Sequence, residues 1–124
     1  MSNQLALIIE DDPDLSVIFA QALQAADFEA HVIQDGQIAL AYLAKNQPAI
    51  VVLDLHLPHA SGDDILHHIR SEARLAQTRV IVATADPLMA ESLRLEADLV
   101  LIKPISFTQL RDLATRLRPP DITG

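Results

Sequence analysis

Five short apolar runs, each closed by polar or turn residues and followed by a helical repeat, constrain this chain more than any other feature. The central run is Ala49-Ile50-Val51-Val52-Leu53-Asp54, continuing into Leu55-His56-Leu57-Pro58. Consecutive β-branched residues with no polar alternation describe a strand covered on both faces. Leu5-Ala6-Leu7-Ile8-Ile9, Val80-Ile81-Val82-Ala83 and Leu99-Val100-Leu101-Ile102 have the same character. Residues 28–33 read as a more polar strand, nearer a sheet edge. Strands that alternate with helices in this way assemble a parallel sheet with helices on both faces. The expected architecture is therefore α/β, a single-domain (βα)5 doubly wound sheet. The expected strand order is the flavodoxin-like 2-1-3-4-5. The domain is expected to occupy residues 1–118, with 119–124 a tail or the start of a linker.

The intervening segments carry their own start signals. Asp12-Pro13 and Asp86-Pro87 each place a capping carboxylate before a proline at the first helical position. Leu15, Ile18, Phe19, Ala22 and Leu23 recur at helical spacing through about Ala26. Asp35-Gly36 is a turn and cap before a helix expected over 38–45. Ser61-Gly62 closes a loop before one over 63–71, whose apolar side is Ile65, Leu66 and Ile69. Met89, Ala90, Leu93 and Ala97 define the fourth helix. Ser106-Phe107-Thr108-Gln109 is a capping box. It starts a last helix expected to bury Phe107, Leu110, Leu113, Ala114 and Leu117.

Charge excludes several functions. Seventeen acids against nine bases give a formal net charge of −8. Phosphate-rich partners repel such a surface, so no direct nucleic-acid binding and no membrane association is expected. Three Phe, one Tyr and no Trp leave little for base stacking. No cysteine is present, which removes disulfides and thiolate metal sites and fits a reducing, cytoplasmic setting. The five histidines form no His-x₃-His pair, so a zinc site is not expected. The N-terminus shows no basic n-region with a long apolar run, and no stretch approaches bilayer-spanning length.

The strand ends hold the chemistry. In open α/β sheets the ligand crevice lies outside the carboxyl ends of the strands, at the switch point. The expected order makes strands one and three neighbours there. Glu10 and Asp11 close strand one, Asp54 strand three, Thr84 strand four and Lys103 strand five. Three carboxylates a few ångströms apart need a proton or a cation. Hard oxygen donors with room for water and phosphate suit Mg²⁺, or Mn²⁺. With a lysine and a hydroxyl beside them, the group suits phosphoryl transfer to a carboxylate.

These pieces resemble the receiver domain of two-component response regulators, of the chemotaxis-regulator kind. The resemblance rests on Leu7-Ile8-Ile9-Glu10-Asp11-Asp12-Pro13, on Val51 through Pro58 with Gly62, on Val80-Ile81-Val82-Ala83-Thr84-Ala85 and on Leu101-Ile102-Lys103-Pro104-Ile105. It implies that Asp54 accepts a phosphoryl group from a sensor histidine kinase or phosphotransfer protein. Asp11 would bind Mg²⁺ directly, Glu10 through water, and the His56 backbone carbonyl would be a further ligand. Thr84 would hydrogen-bond the phosphoryl group, and Lys103 would pair with Asp54 across a cis bond to Pro104. His56 and Asp86 match positions that tune acyl-phosphate hydrolysis. The implied protein is a cytoplasmic signalling domain rather than a metabolic enzyme, acting on an output domain or partner protein. The sequence sets no oligomeric state.

Two departures bear on the output. Val100 stands where the family usually has the aromatic partner of the switch Thr, and Glu96-Ala97 replaces the common Gly-Ala. They leave open a receiver-like interaction module whose output does not follow phosphorylation. Two further classes fit less well. A haloacid-dehalogenase-type hydrolase would have a second Asp at position 56, and a mononucleotide binder would not place Glu10-Asp11-Asp12 in its phosphate loop.

Overall fold

The computed structural model describes residues 4–120. Its elements run β1 (Gln4–Ile9), α1 (Pro13–Ala25), β2 (Phe28–Ile33), α2 (Gly36–Leu43), β3 (Ile50–Asp54) and α3 (Gly62–Ser71). A 3₁₀ turn, Ala73–Leu75, leads to β4 (Arg79–Thr84), α4 (Pro87–Leu93), β5 (Leu99–Ile102) and α5 (Phe107–Leu117). All strand pairs are parallel, in the order β2-β1-β3-β4-β5. The α/β architecture and strand order are those the sequence led one to expect.

The two-residue period of a strand explains how one apolar run serves two cores. In β1, Ala6 and Ile8 enter one cluster while Leu7 and Ile9 enter the other. Ile50 and Val52 of β3 likewise separate from Val51 and Leu53. The first cluster takes Phe19 and Leu23 from α1 and Leu110 and Ala114 from α5. The second takes Leu43 from α2 and Ile65, Leu66 and Ile69 from α3. The central strands are thus sealed, and their carboxyl ends are fixed in space.

Several boundaries and faces differ from the sequence expectation. The second and third helices begin at Gly36 and Gly62, two residues and one residue earlier than expected, directly after the capping side chains of Asp35 and Ser61. The fourth helix ends at Leu93, and turns closed by Glu96 N–H to Leu93 O carry the chain to β5. That strand is only half buried because it forms the sheet edge. Ile18 and Phe107, expected inside, are 38% and 36% exposed. Ser16 is buried in α1 instead, its hydroxyl donating to Pro13 O. Phe107 lies at the first turn of α5 with the Arg111 guanidinium 5.9 Å from its ring centre. The tail expected over 119–124 falls mostly outside the described residues.

Gly62 is where the fold comes closest to the strand-end chemistry. Its N–H donates to Leu55 O at 3.0 Å. A Cβ there would run into the backbone at Asp54 and Leu55. Gly62→Ala is therefore expected to destabilise the fold by about 1–3 kcal/mol or more, read by chemical denaturation, since overpacked backbone has nowhere to move.

Candidate functional site

The carboxyl ends of β1 and β3 lie side by side, with Ile9 opposite Leu53. This register brings Glu10, Asp11 and Asp54 to one rim. Their ligand oxygens lie within 4.8 Å of one another. Glu10 and Asp54 are only 1% and 4% exposed, while Asp11 is open to solvent. Glu10 is anchored by its N–H to Ile33 O, and its Oε2 accepts the Asp12 N–H. Asp12 caps α1, accepting from the Asp14 and Leu15 amides, as the sequence suggested.

Lys103 reaches this rim from β5. Its N–H donates to Thr84 O at 2.8 Å, continuing the sheet by one residue. Its Nζ donates to Glu10 Oε1 at 2.9 Å and lies 3.5 Å from Asp54 Oδ1. The ion pair with Asp54 is present, and Glu10 is a second and closer partner that the sequence reading did not name. Sequence alone cannot rank two carboxylates that lie 2.9 Å and 3.5 Å from one ammonium. The bond from Lys103 to Pro104 is cis.

Thr84 is fully buried at the end of β4. Its Oγ1 accepts the Asp86 N–H at 3.0 Å. The Asp86 carboxylate in turn caps α4 by accepting from Leu88 and Met89. Val100 is half buried and packs against the α2–α3 side of the sheet, in the company of Met89 and Leu93. The His56 side chain is exposed, and its N–H donates to Asp54 Oδ1 at 3.3 Å. Glu10, Asp11, Asp54 and Lys103 therefore share one rim. Thr84 is tied to it through the Lys103 backbone, and Asp86 and Val100 lie beyond it along β4–α4 and β5.

Electrostatics follow from burial. Loss of water pushes the Glu10 carboxyl above its ordinary value; the Lys103 hydrogen bond opposes this in part, and the Asp54 charge adds to the rise. Burial works against the Lys103 ammonium, yet Glu10 and Asp54 together outweigh it and hold its pKa above the usual lysine value. An acidic rim that offers oxygen donors only and opens to solvent at Asp11 matches the donor set a hard divalent ion prefers.

The profile of the response regulator receiver domain matches residues 6–115. The chain belongs to this family. It is 35% identical over 112 residues to the sensory transduction protein RegX3 of Mycolicibacterium smegmatis, covering 90% of this chain and 48% of that one. It is 31% identical over 121 residues to the sensor histidine kinase TmoS of Ectopseudomonas mendocina, covering 95% of this chain and 12% of that one. The chain thus spans half or less of the length of these curated relatives. The response regulator receiver domain (CheY-like) of Methylobacillus flagellatus superposes with a TM-score of 0.82 at 24% identity, over 94% of this chain and 99% of that one, which speaks to fold alone. Receiver domains are signalling modules of two-component systems rather than metabolic enzymes, and they work with histidine kinases and output domains. The family typically binds Mg²⁺, and Glu10, Asp11 and Asp54 of this chain form a group that could hold a metal ion. Among the described residues no helix is long and apolar enough to cross a membrane.

The raised Glu10 value sets a pH dependence. The folded state holds this proton more tightly than the unfolded chain does. Its contribution is complete below the ordinary glutamate value of 4.5 and is lost as pH rises through the higher folded value. A carboxyl NMR titration in chelator is expected to place the Glu10 midpoint above 4.5, and Asp54→Asn is expected to bring it down by removing a neighbouring charge. A wild-type midpoint at or below the usual range would show that Lys103, rather than burial, governs the site.

Proposed function

We propose that this chain is a phosphoacceptor receiver domain in which Asp54 takes a phosphoryl group from the phosphohistidine of a kinase or phosphotransfer protein. The single observation that supports this most is the meeting of Glu10, Asp11, Asp54 and Lys103 at one rim. An Asp54 carboxylate oxygen attacks phosphorus, a P–O bond forms, the P–N bond breaks, and the imidazole nitrogen leaves with the electron pair. Asp11, Asp54 and the His56 backbone carbonyl would hold the divalent ion directly, with Glu10 acting through water. The ion, when bound, supplies positive charge to the phosphoryl oxygens.

The protein's own groups do the rest. Burial strengthens every charge interaction at Asp54. Lys103 balances the acids and offers its ammonium to the phosphoryl oxygens. The Thr84 hydroxyl donates to the phosphoryl group after releasing the Asp86 N–H. Asp86, Val100 and Pro104 modulate this exchange: Asp86 through the α4 cap, Val100 by leaving the switch without its usual aromatic, and Pro104 by aiming the β5–α5 connection. The domain would end near residue 118, with 119–124 leading toward an output domain or a free end. A cytoplasmic location goes with this reading, because the partners that phosphorylate it act there.

Two measurements test it. Acetyl phosphate or beryllofluoride with Mg²⁺ is expected to give one covalent or tightly held adduct on the wild type and none on Asp54→Ala, read by intact mass or fluorine NMR. An adduct that survives Asp54→Ala would move the acceptor elsewhere, and no adduct on the wild type would leave an interaction module. In the second, Mg²⁺ at about a hundred times its dissociation constant is expected to raise stability by about 2.7 kcal/mol, because it binds only the assembled carboxylates. A melting temperature indifferent to millimolar Mg²⁺ would contradict the metal site.

A further inference from the structure

The loop between β3 and α3 carries the His56 carbonyl and the chain that follows Asp54. It is pinned at its base by Gly62 N–H to Leu55 O, and by His56 N–H to the Asp54 carboxylate. Its outer part is pinned from a different element. Gly36, the first residue of α2, donates its N–H to Pro58 O at 3.0 Å. A Cβ at Gly36 would collide with the Ala60 carbonyl. Between these two contacts the Asp35 carboxylate holds the His59 ring through Nδ1. Three consecutive loop residues thus rest on Asp35 and Gly36.

His59 is the informative member. Its φ is 70°, in the left-handed region that non-glycine residues occupy at a cost. Its side chain is 72% exposed, so packing does not impose that conformation. The neighbour that does hold it is Asp35. That carboxylate is shared: one oxygen accepts the Ile38 N–H as the α2 cap, and the other faces His59. The His59 contact, and then the cap, keep the Asp35 carboxyl below its usual value.

We propose that Asp35 and His59 are positioning residues: together they fix the β3–α3 loop from α2, so that the backbone oxygen of His56 is set for the divalent ion before it arrives. This rests on the phosphoacceptor reading above. Neither side chain belongs to the acidic rim. Their effect passes through four residues of backbone, between the Gly36 contact at Pro58 and the Gly62 contact at Leu55. An exposed ion pair contributes little to global stability. A supporting contact that orients a ligand can nonetheless change metal affinity severalfold.

The test uses two variants of the whole chain. Asp35→Ser keeps an oxygen to cap α2 but no longer reaches His59. His59→Gly removes the ring and accepts φ 70° without strain. In chelator, both are expected to melt close to the wild type while the Gly36 amide exchanges with solvent several times faster. By calorimetry both are expected to bind Mg²⁺ about threefold or more weakly. The double variant is expected to be no worse than either single, since each breaks the same contact. Saturating Mg²⁺ is expected to restore the rate of acetyl-phosphate uptake, which a general loss of structure would not allow. Wild-type affinity and wild-type Gly36 exchange in both variants would overturn the pairing while leaving Asp54 as acceptor. A wild-type protein that takes up no Mg²⁺ would overturn the phosphoacceptor reading, and this role with it.

Discussion

A cluster of like charges at the end of a buried sheet is the constraint on which the rest of this structure depends. Glu10 and Asp54 lie almost out of water with Asp11 beside them. Such a group is tolerable only where a cation stands close and the backbone is too well held to spread apart. Lys103 supplies the first condition, at 2.9 Å from Glu10 and 3.5 Å from Asp54. The second comes from β1 and β3, whose residues Ala6 to Ile9 and Ile50 to Leu53 are buried on both faces. The two cores hold a repulsive rim in place, and the energy the rim withholds from folding is available to whatever cation completes it.

Much of this was legible in the sequence, for a physical reason. A strand covered on both faces has no polar position to spare, so Val51-Val52-Leu53 and Leu7-Ile8-Ile9 announce themselves without a periodicity argument. Once the strands are in order, the parallel sheet fixes which ends meet, and Glu10, Asp11, Asp54 and Lys103 follow. The caps at Asp12, Asp86 and Ser106 were equally readable, because each needs only local amides.

What was not legible depends on partners distant in the chain. Helical spacing alone puts Ile18 and Phe107 inward, yet each is more than a third exposed. The early end of α4 at Leu93 follows from turns that feed the edge strand β5. The preference of Lys103 for Glu10 is a matter of tenths of an ångström across 93 residues of sequence. Asp35 and His59 are 24 residues apart, and each has an adequate local explanation, one as a cap and one as a loop residue. Only the approach of α2 to the β3–α3 loop, which Gly36 permits, makes them a pair.

The arrangement around Thr84 bears on how such a rim reports its state. Its hydroxyl is committed to the Asp86 N–H, and Asp86 caps a helix of seven residues with a single buried side chain, Ala90. A short helix owes much of its stability to its cap and its packing. A phosphoryl group on Asp54 that draws the Thr84 hydroxyl away would leave that amide without its acceptor and loosen the turn into α4. Val100 does not oppose this, because a half-buried aliphatic side chain has no polar tip to swing between two positions. On the phosphoacceptor reading, the signal that an aromatic there would carry by rotating would pass instead through the backbone between Thr84 and Asp86. The same logic runs on the opposite flank, where α2 reaches the loop after Asp54 through Gly36 and Asp35. On both flanks, then, hydrogen bonds join the chain that follows a rim strand to the first turn of a neighbouring helix, at α4 through Asp86 and at α2 through Asp35 and Gly36.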